Sequence, residues 1–328
     1  MKNLIKGIAM VVLASAFLLF FSVHEIKATT KDDEVTPILK EKLQFEVDEN
    51  SNANLKKNDL GDEKEQIKRA KNEAAKLNRD TLYHYDPNNT GNLVNLYPEQ
   101  KNKKTSQTKP SGKTPGFVEI EVETLLNQKN STITNNIKIT KVIGTKPLYL
   151  TASNHLLAAQ YYNGKYIKVL NHTKNFKFTE IKAGAKSSKS FKVGASSFYE
   201  RDFSAVVAWK DYPPITDASI SSPFLANKKA AQYPYAKNKH NKEVMAAPAN
   251  ARMPVIPEDD RTKRDRNLRK KYIAWYTKTY GDPKWNWDNY EVHHVIPLKY
   301  GGNNDMSILF PLDKTFHQKT VSPWWAAY

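Results

Sequence analysis

Between residues 117 and 212, apolar side chains recur at alternate positions in short runs: Val118, Ile120 and Val122; Ile137 and Ile139; Phe176 and Phe178; Phe191 and Val193. Period two is the signature of strands with one face packed and one wet, and Asn163-Gly164, Asn171-His172 and Gly184 punctuate the runs as turns. Several short strands in succession predict a central all-β domain, a sandwich or a barrel-like sheet, over residues 117–212. The flanks read differently. Residues 62–80 hold strong helix formers with few apolar positions, which predicts a solvated helix with Glu65 and Arg69 paired at i,i+4. Residues 30–58 are charged and weakly periodic and read as mobile, and residues 100–116 are a Lys/Ser/Thr/Pro linker. Residues 29–116 are thus expected to be a polar, partly helical spacer. Seven prolines and little periodicity predict a second linker over residues 213–257.

The C-terminal residues 258–328 have a pattern of their own. Leu268, Tyr272, Trp275 and Thr279 fall at helical spacing, predicting a helix over residues 261–280. Residues 291–296 are strand-like, Pro297 ends them, Gly301-Gly302 and Asn303-Asn304 make a loop, and residues 308–312 suit a second strand. Asp313 is a fair N-cap for a short helix carrying Phe316 and His317. The whole chain is expected to be an α+β multidomain protein.

Composition and the amino terminus narrow the setting. Lys2 and Lys6 precede the apolar run of residues 7–23, and polar sequence follows, the order of a secretory signal peptide over residues 1–28 cleaved after Ala28. The alternative is an uncleaved membrane anchor. Both leave the body of the protein outside the membrane, so a secreted location is expected. The 328 residues contain no cysteine, which excludes disulfide scaffolds, thiol nucleophiles and thiolate metal sites.

The net charge is +17, and residues 101–240, with 23 basic and 8 acidic side chains, carry most of it. Such a field attracts nucleic acid or cell-wall polyanion without choosing between them. A second basic cluster opens the C-terminal unit: Arg261, Lys263, Arg264, Arg266, Arg269, Lys270 and Lys271 are expected to grip phosphates. His155 and His172, isolated in the β domain, read as structural. His293 and His294 end the first predicted C-terminal strand. Folding His317 back toward them would gather imidazoles able to hold a divalent cation, with one left as a base.

The string HHVIPLKYGGNND followed by His317 resembles the HNH endonuclease family, whose ββα-metal core cuts nucleic-acid backbones. The resemblance covers some 30 to 40 residues, or about 70 with the basic helix. It implies that His294 is the general base that activates water, that His293 and His317 are metal ligands, and that Mg, Mn or Zn is the cofactor. Ile308 stands where the family has an asparagine, nine residues before His317, and Val321 stands where some relatives have a further ligand. Glu291, Asn303, Asn304 and Asp305 are candidates to supply the missing polar support.

The resulting expectation is a secreted HNH-type endonuclease hydrolysing phosphodiester bonds of DNA, with RNA as a second substrate, by backbone recognition with little sequence specificity. The alternative is a non-catalytic extracellular polyanion-binding or nucleic-acid-binding protein with a degenerate HNH core, and a structural zinc module is a third reading. A toxin role would imply an immunity partner, which nothing in the sequence indicates.

Overall fold

A computed structural model describes residues 35–47, 61–84, 91–96 and 115–328. The expected signal at residues 1–28 and nearly all of the linker at 100–116 lie outside the described residues. Most of the alternating positions lie in strands; Phe178 is exposed and instead opens a 3₁₀ turn (Phe178–Glu180), and Val193 lies just past the end of a strand. In the hairpin of β4 (Gly116–Asn127) and β5 (Thr132–Gly144), Val118, Ile120, Val122, Ile137 and Ile139 point to one side and are fully buried. β1 (Val35–Val47) flanks β4, and β9 (Lys186–Lys192) flanks β5, completing a four-stranded antiparallel sheet in the order β1-β4-β5-β9.

A second antiparallel sheet has β10 (Ser197–Ala208) and β6 (Tyr149–Ala159) at its centre. β11 (Ile215–Ile220) lies outside β10; β7 (Lys165–Leu170) and then β2 (Thr81–Tyr83) lie outside β6. β12 (Phe224–Ala226) also pairs with β10, and β8 (Thr173–Phe176) with β6. Phe45, Ile120, Ile139, Phe203, Val207 and Trp209 belong to one buried cluster fed by both sheets. Each such side chain contributes about 1.5–3 kcal/mol by leaving water. The body is mostly β, with a few helices. Helix α1 (Glu63–Lys76), capped by the Asp62 carboxylate on the Glu65 amide, closes Ala70 over Val206 and Ala208 of β10.

Some polar groups inside this body satisfy one another, while Asn154 Oδ1, His155 Nε2 and His172 Nδ1 are buried without a hydrogen-bond partner among the described residues. Thr124 donates to Asn135 Oδ1 at 2.8 Å, and Asn135 donates to the Asn154 carbonyl at 2.8 Å. His155 Nδ1 accepts from the His172 amide at 3.1 Å, and His172 Nε2 contacts the Ser187 hydroxyl at 2.9 Å. Burial drives the His155 imidazole down to about 4 and lowers His172, so both are neutral structural rings at neutral pH.

Two expectations need correction. The segment read as mobile contains β1, whose Leu43, Phe45 and Val47 are buried in the inter-sheet core and whose twelve residue pairings with β4 run from Val35↔Asn127 to Val47↔Gly116. The segment read as a Pro-rich linker is packed structure: β11, β12 and β13 (Ala247–Pro248), the last paired with β3 (Leu93–Val94), lie within it, and Phe224, Leu225, Tyr233 and Met245 are buried. Pro223, Pro234 and Pro248 are buried within it, whereas Pro213, Pro254 and Pro257 are exposed. One apolar cluster joins the β body to the C-terminus, uniting Leu157, Phe198 and Tyr233 with Phe310, Leu312, Val321, Trp324 and Trp325.

Candidate active site

Strands β14 (Tyr290–His294) and β15 (Leu309–Asp313) pair antiparallel, with Glu291 opposite Leu312, His293 opposite Phe310 and His294 opposite Leu309. Alternation divides their side chains. Val292 and Leu309 pack against Leu268, Tyr272 and Tyr276 of helix α2 (Leu268–Tyr280). Phe310 and Leu312 face the β body and the closing helical run. That run is α3 (Lys314–Phe316), a π-helical turn (His317–Val321) and α4 (Ser322–Ala326), opened by Asp313, whose carboxylate accepts the Phe316 amide. Wide turns of this kind are frequent at functional sites.

Directly opposite residues share a face, so Glu291 and His293 lie on the side of the closing run and meet His317 there. His293 Nδ1 is 3.0 Å from His317 Nε2, and His317 Nδ1 bonds Glu291 Oε2. Gln318 donates to the other Glu291 oxygen at 2.8 Å. Burial raises the Glu291 carboxyl, but the bonds from His317 and Gln318 outweigh it and hold the group below the usual carboxylate range. The same burial, reinforced by the neighbouring imidazoles, drives His293 down to about 3, so it stays neutral; its Nε2 is buried without a partner.

His294 faces away from this chain of bonds. Its Nε2 is 3.1 Å from Asn304 Oδ1, and Asn304 Nδ2 donates to the Lys263 carbonyl at 2.8 Å. Because Asn304 spends its amide on Lys263, its oxygen faces the ring and accepts the Nε2 proton, which leaves the lone pair of a neutral His294 on Nδ1. Burial lowers the His294 pKa; the Asn304 bond raises it and the Arg264 charge lowers it further. Asn303 and Asp305 serve the loop instead, accepting the Asp305 and Ser307 amides. Ile308 contributes backbone bonds: its carbonyl accepts from the Val295 amide and its amide donates to the Asp305 carbonyl. The polar contact to the histidine comes from Asn304.

The hairpin loop depends on Gly302. A Cβ there would stand 1.8 Å from the Ile296 carbonyl oxygen, and the backbone atoms it meets cannot rotate away. Gly302→Ala is expected to destabilise the protein by about 1–3 kcal/mol through forced backbone displacement. A urea midpoint unchanged from that of the parent would contradict this.

The basic cluster is only partly the helix face expected. α2 starts at Leu268, so Arg261, Lys263, Arg264 and Arg266 lie in the extended approach to it. Several of the cations have internal tasks: Arg261 Nε donates to the Ile256 carbonyl, Lys271 pairs with Asp265, and Arg269 clamps the Tyr290 and Trp287 carbonyls. Lys270 is exposed on α2. Arg264, Arg266 and Arg269 line a cleft of about 610 Å³ along β14 that reaches Glu291 and His317. Lys314 lines it too; sequence reasoning passed over it, although its place one turn before His317 was visible.

Two imidazole nitrogens 3.0 Å apart match the separation of about 2.9–3.4 Å between two nitrogens bound to one cation at ordinary metal–nitrogen distances. The carboxylate behind His317 fixes its proton on Nδ1 and presents Nε2 as a donor, the usual arrangement behind a metal-bound histidine. Among the described residues no group of three or more His, Asp or Glu side chains converges this way, so a cation here would complete its shell with water and substrate. No protein-family model matches the chain, and neither a curated protein nor a solved structure matches it.

Proposed function

We propose that this protein is a metal-dependent endonuclease of the HNH type, exported by its N-terminal apolar segment, that hydrolyses phosphodiester bonds of DNA, and of RNA as a second substrate, with little sequence specificity. One observation carries the reading: His293 and His317 meet at 3.0 Å with Glu291 behind them, next in the chain to a histidine whose tautomer Asn304 fixes. Order along the chain supports it as well, since the two strands, the glycine loop and the helical run bearing His317 follow in the sequence the resemblance requires.

His293 and His317 would hold the divalent ion, which supplies stabilisation of the charge that grows on the phosphate oxygens. Nδ1 of His294 takes a proton as the oxygen of a water bonds to phosphorus, and the bond from phosphorus to one ribose oxygen breaks, that oxygen gaining a proton from solvent. Arg264 and its neighbours draw the polyanion toward the site, a contact to the backbone that carries no sequence information.

A second reading is a non-catalytic extracellular binder of nucleic acid or cell-wall polyanion. It is favoured by the isoleucine at position 308 and by the two-imidazole limit of the cluster. Incubating the purified protein with plasmid DNA in Mg²⁺, Mn²⁺ or Zn²⁺ separates the two. Nicking that a chelator abolishes and added metal restores is expected. Intact plasmid in every metal, or cleavage indifferent to the chelator, would overturn the proposal in favour of the binder.

A further inference from the structure

The cleft beside His317 is far larger than a single phosphate needs, with a volume of about 610 Å³. Four cations line it: Arg264, Arg266, Arg269 and Lys314. Three acids lie among them, and each is engaged. Asp265 accepts from Lys271 and from the Asn267 amide; Glu291 is held by His317 and Gln318; exposed Asp288 stands 3.8 Å from Arg269. The cations divide in the same way. Arg269 is committed to two backbone carbonyls, and Arg264 follows Lys263, whose carbonyl holds the Asn304 side chain that meets His294. Arg266 and Lys314 are exposed in the cleft, and among the described residues neither side chain makes a hydrogen bond or salt bridge, though the Lys314 charge bears on the Glu291 carboxylate.

An anion beside His317, which lines the cleft, would leave these two cations for another negative group, and a nucleic-acid strand brings one at a fixed interval. We propose that Arg266 and Lys314 form a subsite for the phosphate next to the scissile one, which makes the substrate a polynucleotide and leaves isolated phosphodiesters poorly used. This rests on the nuclease reading and adds to it a second phosphate position and the two residues that hold it, one of them outside the basic cluster. Lys314 has a geometric reason for the role: it sits in α3 one turn before His317, so the helical run that presents the imidazole also presents the ammonium.

The test compares two substrates that differ in the neighbouring phosphate: a DNA oligonucleotide and bis(p-nitrophenyl) phosphate, which has one phosphodiester and nothing beyond it. Arg266→Gln and Lys314→Gln are each expected to lower kcat/KM on the oligonucleotide about tenfold and to reduce the slope of log affinity against log salt by about one. Turnover of bis(p-nitrophenyl) phosphate is expected to stay at the parent level. Lys319→Gln, exposed and outside the cleft, is the control for general loss of charge. Equal losses on both substrates would mean that the pair acts at the reacting phosphate or on folding, and no loss on either would mean that it binds nothing; either result overturns the subsite while the nuclease reading stands. Failure of the parent protein to cleave either substrate in any metal would remove the nuclease reading and the subsite with it.

Discussion

His294→Ala is expected to lower metal-dependent cleavage by about 10²–10⁴-fold, the range that a positioned general base contributes. Among the described residues the ring hydrogen-bonds Asn304, and it lies buried at the end of β14. Circular dichroism should therefore change little and the urea midpoint fall by no more than the loss of one buried side chain explains, while the rate collapses. The pH profile gives a second readout. The base works when neutral, so the rate falls as acid protonates it. Burial and the Arg264 charge hold its pKa below 6.5 against the opposing Asn304 bond, and a bound dication would push in the same direction. The acidic limb of kcat/KM should thus lie below pH 6.5, and Arg264→Gln should move it upward. A limb at or above the ordinary imidazole value, or full activity in His294→Ala, would assign the base to another group.

The largest effect on stability is expected from Glu41→Ala. Arg201 of β10 is 3 % exposed, and its guanidinium reaches Glu41 of β1, whose same oxygen also accepts from Ser219 at 3.0 Å. Arg201 Nε and Nη1 are buried without partners. Burial lowers the arginine pKa and the Glu41 carboxylate opposes that change, so the ion pair is what keeps a charge tolerable between the sheets. Removing the carboxylate strands the cation and should cost about 3 kcal/mol, the lower end for a broken buried pair because Glu41 is partly exposed. A fall in the urea midpoint at constant slope would show it. The double variant Glu41→Leu with Arg201→Met should recover most of the loss, since apolar residues of similar size leave no charge to solvate. A single-variant cost below about 1 kcal/mol would show that water already reaches the guanidinium.

Glu41 also shows where the sequence was legible and where it was not. The central strands were readable because one face packs and the other is wet, as in β4 and β5. β1 was missed because its apolar alternation is short, Leu43, Phe45 and Val47 alone being buried, and its other face carries charged and amide side chains that pair across the sheet: Lys42 and Gln44 bond Glu119, and Lys40 bonds Glu121. Polar side chains satisfied by a partner eighty residues away look solvated when read in isolation. Similarly, Tyr233, Met245 and Ala247 are buried without any repeat, because irregular chain packs wherever a hollow fits it. At the C-terminus the imidazoles and Glu291 were marked by residue type and spacing. Asn304 stood in a polar run with Asn303 and Asp305, and only the path of the loop decides which of the three turns toward His294. The tasks of Arg261, Arg269 and Lys271 were equally hidden, since a charge count does not reveal which carbonyl or carboxylate claims each cation.

The apolar cluster that runs from Leu157 and Phe198 into Trp324 and Trp325 bears on how this protein could be rearranged by recombination. Trp324 donates to the Ala231 carbonyl, Asn227 donates to the Trp324 carbonyl, and the Tyr328 hydroxyl receives the Met253 amide. Grafted onto another carrier, the last seventy residues would arrive with their indoles uncovered and the closing helical run unsupported. The C-terminal unit is therefore no interchangeable cassette: its shape is inherited from chain that lies far upstream.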